Sequence, residues 1–294
     1  MRFDWDSVHD SMKYGMDMVV TERDIIAALN DVGIRRGDVV IVHSSLKSMG
    51  YVEGGADTVI DALLKVLGEN GTLVMPTLIQ KDFSNAYQTW NLDKPSDVGL
   101  ITETFRKRDG VIRSDQATHS VAAFGPLKQY LTRDHGKYGK RMGPFGDTPF
   151  AVCSPWQKLY DLNAKALMIG VSIVYNTSKH LTEYMMINHI LDHVKDDSKR
   201  EKLIARLKYH GCPPEEDKNR VWPYTSGEKI QEKADQAGLL IHSTCGNAVF
   251  TSFRIKDLSD YSERWFKESP EYWYGEPMLE WLKDANEEYV EQRR

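Results

Sequence analysis

An α/β fold, with a central mostly parallel or mixed sheet flanked by helices, is what this sequence predicts, and three observations predict it. Val39–Val42 is a short, fully apolar run that stops at the polar triplet His43-Ser44-Ser45, as a strand buried on both faces does. After Gly50, Gly54 and Gly55, the apolar positions Val59, Ile60, Leu63, Leu64 and Leu67 recur at three- and four-residue spacing until Gly68, which is a helix and its stop. Leu73–Met75, closed by Pro76, is the next strand, so the whole stretch reads as one βαβ unit. The glycines would let a ligand approach the backbone, and the first helical turn offers unpaired N–H groups to a phosphate. By itself the pattern also fits a βαβ corner that binds nothing, because neither a dinucleotide fingerprint nor a G-K-[ST] loop is present.

The bulk properties narrow the classes. With 41% hydrophobic and 28% charged residues in 294, the chain has the composition of a globular protein able to bury a sizeable core, and it is read as one domain over 1–294. No apolar run reaches the ~20 residues of a membrane span, and the start MRFDWDSVHD has no signal-peptide character, so a cytoplasmic protein without a membrane partner is expected. A net charge of −5 without a basic patch argues against nucleic acid and suits a cationic substrate. Cys153, Cys212 and Cys245 lack metal-ligand spacing. His189 and His193 have it, four apart on a predicted helix, but no third ligand follows and no metal is expected.

Taken in order, residues 1–20 read as a weakly helical arm, and Thr21 with Asp24 resembles a capping box before the stripe Ile25, Ile26, Leu29 and Val32. Residues 78–97 form a long polar and aromatic stretch with no regular period, the kind of loop that is often functional. Leu100–Lys107 is a helix, and His119–Gly125 a strand of small residues. Residues 131–153 hold a basic, glycine-rich run from His135 to Asp147 that reads as a solvated loop. Ser154-Pro155 starts a helix, Ala166–Val171 is a buried strand, and Leu181, Tyr184, Met185, Ile187 and Ile190 mark another helix. Residues of about 195–235 are charge-rich, Gly238–Ile241 and Gly246–Phe253 are two further strands, and the aromatic C-terminal tail is a helix packed outside the sheet.

Three blocks carry a family resemblance. HSSLKSMGYVEGGADTVIDALL followed by GTLVMPT closely resembles the cofactor-binding motif of the aminoglycoside 3-N-acetyltransferase family. RSDQATHSVAAFGP at 113–126 and SPWQKLYDLNAKALMIGVSIVYNTSKHLTEY at 154–184 are similar to its other signatures. The second block departs from the pattern, with Ala117 where the family has proline and Gln116 where it has an apolar residue.

The resemblance implies an aminoglycoside N3-acetyltransferase that uses acetyl-CoA as cosubstrate on the 3-amino group of a 2-deoxystreptamine aminoglycoside, by direct transfer. It implies that His180 is the general base, with Glu183 three residues on orienting it, a spacing that also places both on one helix face. His119 is a second catalytic candidate, or else a satisfied core histidine. Cofactor contacts are expected from His43, Ser44, Ser45, Leu46 and Lys47, from Gly50, Val52, Gly54 and Gly55, and from Thr77 and Ser120. The region of about 195–235 corresponds to a variable acceptor-site subdomain, and the acidic loop at 82–93, with Glu183, would receive the cationic sugar. A same-fold enzyme for another amine or a hydroxylated metabolite, a CoA-binding protein without catalysis, and a homodimer remain open alternatives.

Overall fold

A computed structural model describes residues 19–81, 83–135, 149–208 and 220–285. The expected arm at 1–18, the basic run after His135, Asp82, and the turn around Cys212 lie outside the described residues. Seven strands form one mixed sheet in the order β3-β4-β2-β1-β5-β7-β6. In chain order they are β1 (Val39–Ser44), β2 (Thr72–Pro76), β3 (Ile112–Arg113), β4 (Val121–Phe124), β5 (Lys165–Ile169), β6 (Ile241–Cys245) and β7 (Ala248–Arg254). β1 pairs in parallel with β2 on one side and β5 on the other, while β4 and β7 flank these antiparallel.

Successive strand residues face opposite sides, and each side has its own core. Val40, Val42, Leu73, Met75, Leu167 and Ile169 point to one. That core is closed by α1 (Glu22–Asp31), α2 (Gly55–Leu67) and α4 (Leu100–Arg106), through residues such as Leu29, Ile60 and Phe105. Ile41, Val74, Ala166 and Met168 point to the other. There α6 (Pro155–Asp161), α7 (Ser178–Asp192) and α10 (Ile255–Glu268) bring Trp156, Leu181, Tyr184 and Leu258. Between them lie two short helices, α3 (Ala86–Thr89) and α5 (Lys128–Thr132). The apolar run Val39–Val42 of β1 thus has its reason in two cores, one on each face.

Local chemistry sets the element ends. The Thr21 hydroxyl accepts from Asp24 N–H and the Asp24 carboxylate accepts from Thr21 N–H, the reciprocal cap expected from the sequence. Ser154 caps α6, with Pro155 at its first position. The β6–β7 hairpin turns at Gly246-Asn247, where Gly246 has φ +56° and an added Cβ would sit 2.3 Å from Met49 O. Only glycine lets that turn lie against the Lys47–Met49 3-10 turn, which follows β1.

Four expectations need correction. His43 and Ser44 belong to β1 rather than to the loop after it, because their backbone stays in register with Met168 and Ile169. His119 and Ser120 precede β4, since the Gln116 carboxamide oxygen accepts from the N–H groups of Thr118 and His119 and holds these two in a turn. The strand expected at Gly238–Ile241 is instead β6, Ile241–Cys245, polar and at the sheet edge, and Leu239 and Leu240 precede it. Among the described residues the C-terminal tail is three helices rather than one, α10, α11 (Pro270–Trp273) and α12 (Glu276–Ala285), and its Phe266, Trp273, Tyr274 and Trp281 join the core cluster on one side of the sheet. Trp281 is fully buried and donates to Leu203 O on α8 (Asp197–Ala205) at 3.0 Å. The irregular loop of 82–93 also contains a 3-10 turn, Phe83–Asn85, leading into α3.

Candidate active site

The order of β2, β1 and β5 makes β1 the point where the chain's progress across the sheet reverses, and crevices open there at the carboxyl ends of such strands. A cavity of about 820 Å³ occupies that position. Its floor is the end of β1 and the following turn, including His43, Ser44, Ser45, Leu46, Lys47 and Gly50. The segment from Tyr175 to His180, which enters α7, forms one wall and Asp97–Leu100 another. His119, Leu78, Val171 and Val174 also line it.

The α7 entrance is built residue by residue. Asn176 Oδ1 accepts from Ser178 N–H at 3.2 Å and starts the helix. Thr177 N–H and its hydroxyl lie 3.4 and 3.3 Å from His43 Nε2, tying α7 to the tip of β1 across 134 residues of sequence. One turn on, His180 Nδ1 lies 2.9 Å from Glu183 Oε2. Glu183 is fully buried, and its charge is satisfied from every side. Oε2 also accepts from Trp222 Nε1 at 3.0 Å, and Oε1 accepts from the N–H and hydroxyl of Thr225, both at 3.2 Å. A carboxylate so placed favours the His180 tautomer that carries its proton on Nδ1.

His119 stands close by. Its ring and that of His180 both pack on Phe150, with centroids 5.0 and 5.7 Å away. Nδ1 of His119 lies 2.7 Å from the Thr118 hydroxyl, and the fully buried Gln116 binds both Thr118 and His119 through Oε1. The unusual glutamine of the second block thus shapes the turn that delivers His119. Burial first, then the proximity of His180 and His135, pushes the His119 imidazole well below 6.5.

Val52, Gly54, Gly55, Thr77, Ser120 and Glu183 do not line this cavity. Thr77 and Ser120 are fully buried and joined to each other, Oγ1 to Oγ at 2.9 Å. Arg113 Nε donates to both hydroxyls at 3.1 Å, its other nitrogens reach the carbonyls of Thr77, Leu92 and Lys94, and its guanidinium stacks 4.5 Å above Trp90. Burial pulls the Arg113 pKa down to about 10, so it remains a cation at neutral pH. Arg113→Leu should cost about 2–4 kcal/mol, because these acceptors lose a charged donor; urea unfolding checks this, and an unchanged midpoint contradicts it.

Gly99 carries no sequence signal; Asp97 ends the irregular stretch of 78–97, and Tyr175, Asn176, Thr177 and Lys179 all lie in the third block, although sequence reasoning gave Asp97, Tyr175 and Lys179 no individual role. They come together only where loops meet over β1. Of the metal candidates, His189 Nδ1 lies 2.6 Å from Glu263 Oε1, which Lys267 also binds, and His193 Nδ1 donates to His189 O. No helix among the described residues is long and apolar enough to cross a membrane.

Buried neutral histidines make stability depend on pH. Burial pushes His43 down to about 4 and His135 to about 3, against 6.5 for an exposed imidazole. Below about pH 6.5 the unfolded chain takes up protons that the folded chain refuses, so stability is complete above that pH and falls towards pH 4. His43 alone accounts for on the order of 3 kcal/mol. Thermal melts from pH 7.5 to 4.5 should show this loss, and a flat profile would refute it.

The family model described as aminoglycoside 3-N-acetyltransferase matches residues 41–267. The SPbeta prophage-derived aminoglycoside N(3')-acetyltransferase-like protein YokD of Bacillus subtilis is 28% identical over 275 residues, covering 84% of this chain and 92% of that protein. Among solved structures, aminoglycoside acetyltransferase AAC(3)-IVa as apoenzyme has a TM-score of 0.67 at 23% identity, covering 92% of this chain and 99% of its own. AAC-IIIb, solved as a binary complex with CoASH, has a TM-score of 0.66 at 18% identity, covering 85% and 97%.

Proposed function

This chain belongs to the aminoglycoside 3-N-acetyltransferase family, and from that premise we propose that it transfers an acetyl group from acetyl-CoA to an amine, with His180 as general base. The acceptor the family implies is the 3-amino group of a 2-deoxystreptamine aminoglycoside. The observation that carries the reading is the His180–Glu183 pair at the wall of a cavity whose floor is the end of β1.

An amine is a nucleophile only after losing its extra proton, and an imidazole is suited to take it near neutral pH. Glu183 fixes the tautomer that presents Nε2 and stabilises the imidazolium that forms, as the carboxylate of a catalytic triad does for its histidine. Trp222, Thr225 and α7 hold that carboxylate where it cannot swing away. No protein nucleophile is needed, because acetyl-CoA, when bound, would supply a thioester already activated for attack: as the C–N bond forms the C–S bond breaks, and the CoA thiolate leaves and takes up the proton removed from the amine.

The residues at the end of β1 fit such an arm. Among the described residues His43 Nδ1 and Ser44 Oγ are buried without a hydrogen-bond partner, so polar capacity is left at the cavity floor. Gly50, at φ +84°, keeps the floor free of a side chain beside Asn247, and Gly54 and Gly55, both with positive φ, open α2 with bare backbone. Ser44, Ser45, Leu46 and Lys47 would hold the thioester arm, with the α2 amino end nearest the phosphates.

Release of thiol from acetyl-CoA, followed over a panel of aminoglycosides and other primary amines, tests the reading. Thiol release coupled to N-acetylated product, with the acetyl group located by NMR, is the expected outcome. Binding of CoA with no turnover on any amine would reject it in favour of a non-catalytic CoA-binding protein.

A further inference from the structure

How the cavity holds a cationic acceptor is a question that rests on the acetyl-transfer reading. A molecule with several amines enters carrying several positive charges. The amine that attacks must lose its extra proton, but the others keep theirs, and a charge moved out of water against apolar walls needs an anion beside it. Leu46, Leu78, Val98, Val171 and Val174 make much of this wall apolar. The place of the anion therefore decides how the molecule lies.

The sequence pointed to Glu183 and to the acidic stretch of 82–93 for that task. Glu183, however, is fully buried, its oxygens are taken by His180, Trp222 and Thr225, and it does not line the cavity. None of the described residues of 83–93 lines it either. Asp97 does, as the one acidic side chain among the described lining residues.

Its position is fixed from two sides. Asp97 N–H donates to Leu78 O at 3.2 Å, and its carboxylate accepts from Gln80 N–H at 2.9 and 3.0 Å and from Lys81 N–H at 2.7 Å. Two residues on, Gly99 has φ +137° and an added Cβ would sit 3.4 Å from Ser44 O, so the segment lies close against the end of β1. Backbone N–H groups place the carboxylate without neutralising it, and two of them leave part of its roughly four acceptor sites for an ammonium group. Among the described residues no lysine or arginine side chain pairs with it. The lining lysines answer other anions. Lys47 belongs to the turn assigned to the anionic cofactor, and Lys179 lies in the field of Glu228, in the first turn of α9 (Gly227–Gln236).

We propose that Asp97 is a specificity-determining residue that binds a second, non-reacting ammonium group of the acceptor and so turns another amine of the same molecule towards His180. The site thereby selects acceptors with two or more amines over monoamines. The contribution acts through KM more than kcat, and it weakens with ionic strength.

Asp97→Asn tests this, because a carboxamide oxygen at the Oδ2 position can still accept from both N–H groups while the charge is lost. Thiol release with gentamicin as acceptor is followed at low and high salt in wild type and variant, alongside calorimetric titration with CoA and melting curves. KM for gentamicin should rise roughly tenfold, with kcat and CoA affinity within about threefold, and the salt dependence of KM should largely disappear. An unchanged gentamicin KM, a salt dependence equal in the two proteins, or a joint loss of kcat, CoA affinity and Tm overturns the proposal. So does thiol release with a monoamine such as cyclohexylamine but not with gentamicin. Should no amine release thiol, the acetyl-transfer reading fails by itself, and calorimetric binding of gentamicin decides the role of Asp97. Weaker binding by Asp97→Asn, with the difference reduced at high salt, then supports it, and equal binding, or none to wild type, refutes it.

Discussion

Replacing His180 by alanine is expected to lower turnover by roughly 10²- to 10⁴-fold, the range over which a positioned general base contributes, while CoA affinity stays within about threefold. The asymmetry follows from the site. His180 stands on the α7 wall, whereas the cofactor assignment uses the floor residues from Ser44 to Gly50. It is also partly exposed, with 21% of its side chain accessible, so its loss opens no core cavity. Thermal stability should therefore change little, and calorimetric titration with CoA alongside steady-state kinetics separates the two effects. A variant that keeps wild-type turnover would remove His180 from the mechanism, and attention would pass to His119, whose ring shares the Phe150 contact.

Glu183→Gln should damage both stability and catalysis. In the native protein both carboxylate oxygens face donors: the His180 ring and the Trp222 indole at one, the Thr225 N–H and hydroxyl at the other. A carboxamide has one accepting oxygen and one NH₂ group, so whichever way it turns, one pair of donors faces another donor. In a fully buried position that mismatch should cost about 2–4 kcal/mol. For a chain of this size this is a fall in Tm of roughly 3–7 °C. If the NH₂ faces His180, the imidazole must present Nδ1 as acceptor and carry its proton on Nε2, the wrong tautomer for a base. Turnover should then fall by on the order of 10²- to 10⁴-fold, as it does when the carboxylate of a serine-protease triad is amidated. The measurements are a melting curve and kcat against pH. Loss of stability with kcat unchanged would make Glu183 purely structural, and loss of kcat with Tm unchanged would contradict the account of its burial.

The two variants probe a part of the protein that was only half visible in the linear chain. His180 and Glu183 are three apart on one helix, so their contact follows from helical spacing, and the family resemblance says which histidine matters. That Glu183 is buried does not follow. α7 has apolar residues on more than one side, including Leu181, Tyr184, Met186 and Ile187, so no sequence stripe says which face meets solvent. Burial comes from Trp222 and Thr225, some forty residues downstream, folding over the carboxylate.

The altered second block shows the same division. Ala117 and Gln116 were visible as departures, but their effect was not. Ala117 is buried with Ile79, Ala86 and Trp90, and the Gln116 side chain replaces backbone partners for the turn that carries His119. Thr77 and Ser120, expected at the cofactor, are held by Arg113 away from the cavity lining. Nothing in their local sequence distinguishes a hydroxyl that faces a ligand from one that faces a buried guanidinium.

Local patterns determined the elements of this protein and most of their ends. Apolar runs mark strands, three- and four-residue spacing marks helices, and Thr21, Ser154 and Pro155 mark starts, because each depends on interactions within a few residues. Tertiary structure alone decided which ends meet. The His43–Thr177 contact, the joining of Asp97–Leu100 with Tyr175–His180 around one cavity, and the charge of its wall arise from β1 lying between β2 and β5. Strand order is set by how the two cores pack on opposite faces of the sheet, a sum over many distant contacts that no short stretch of chain contains.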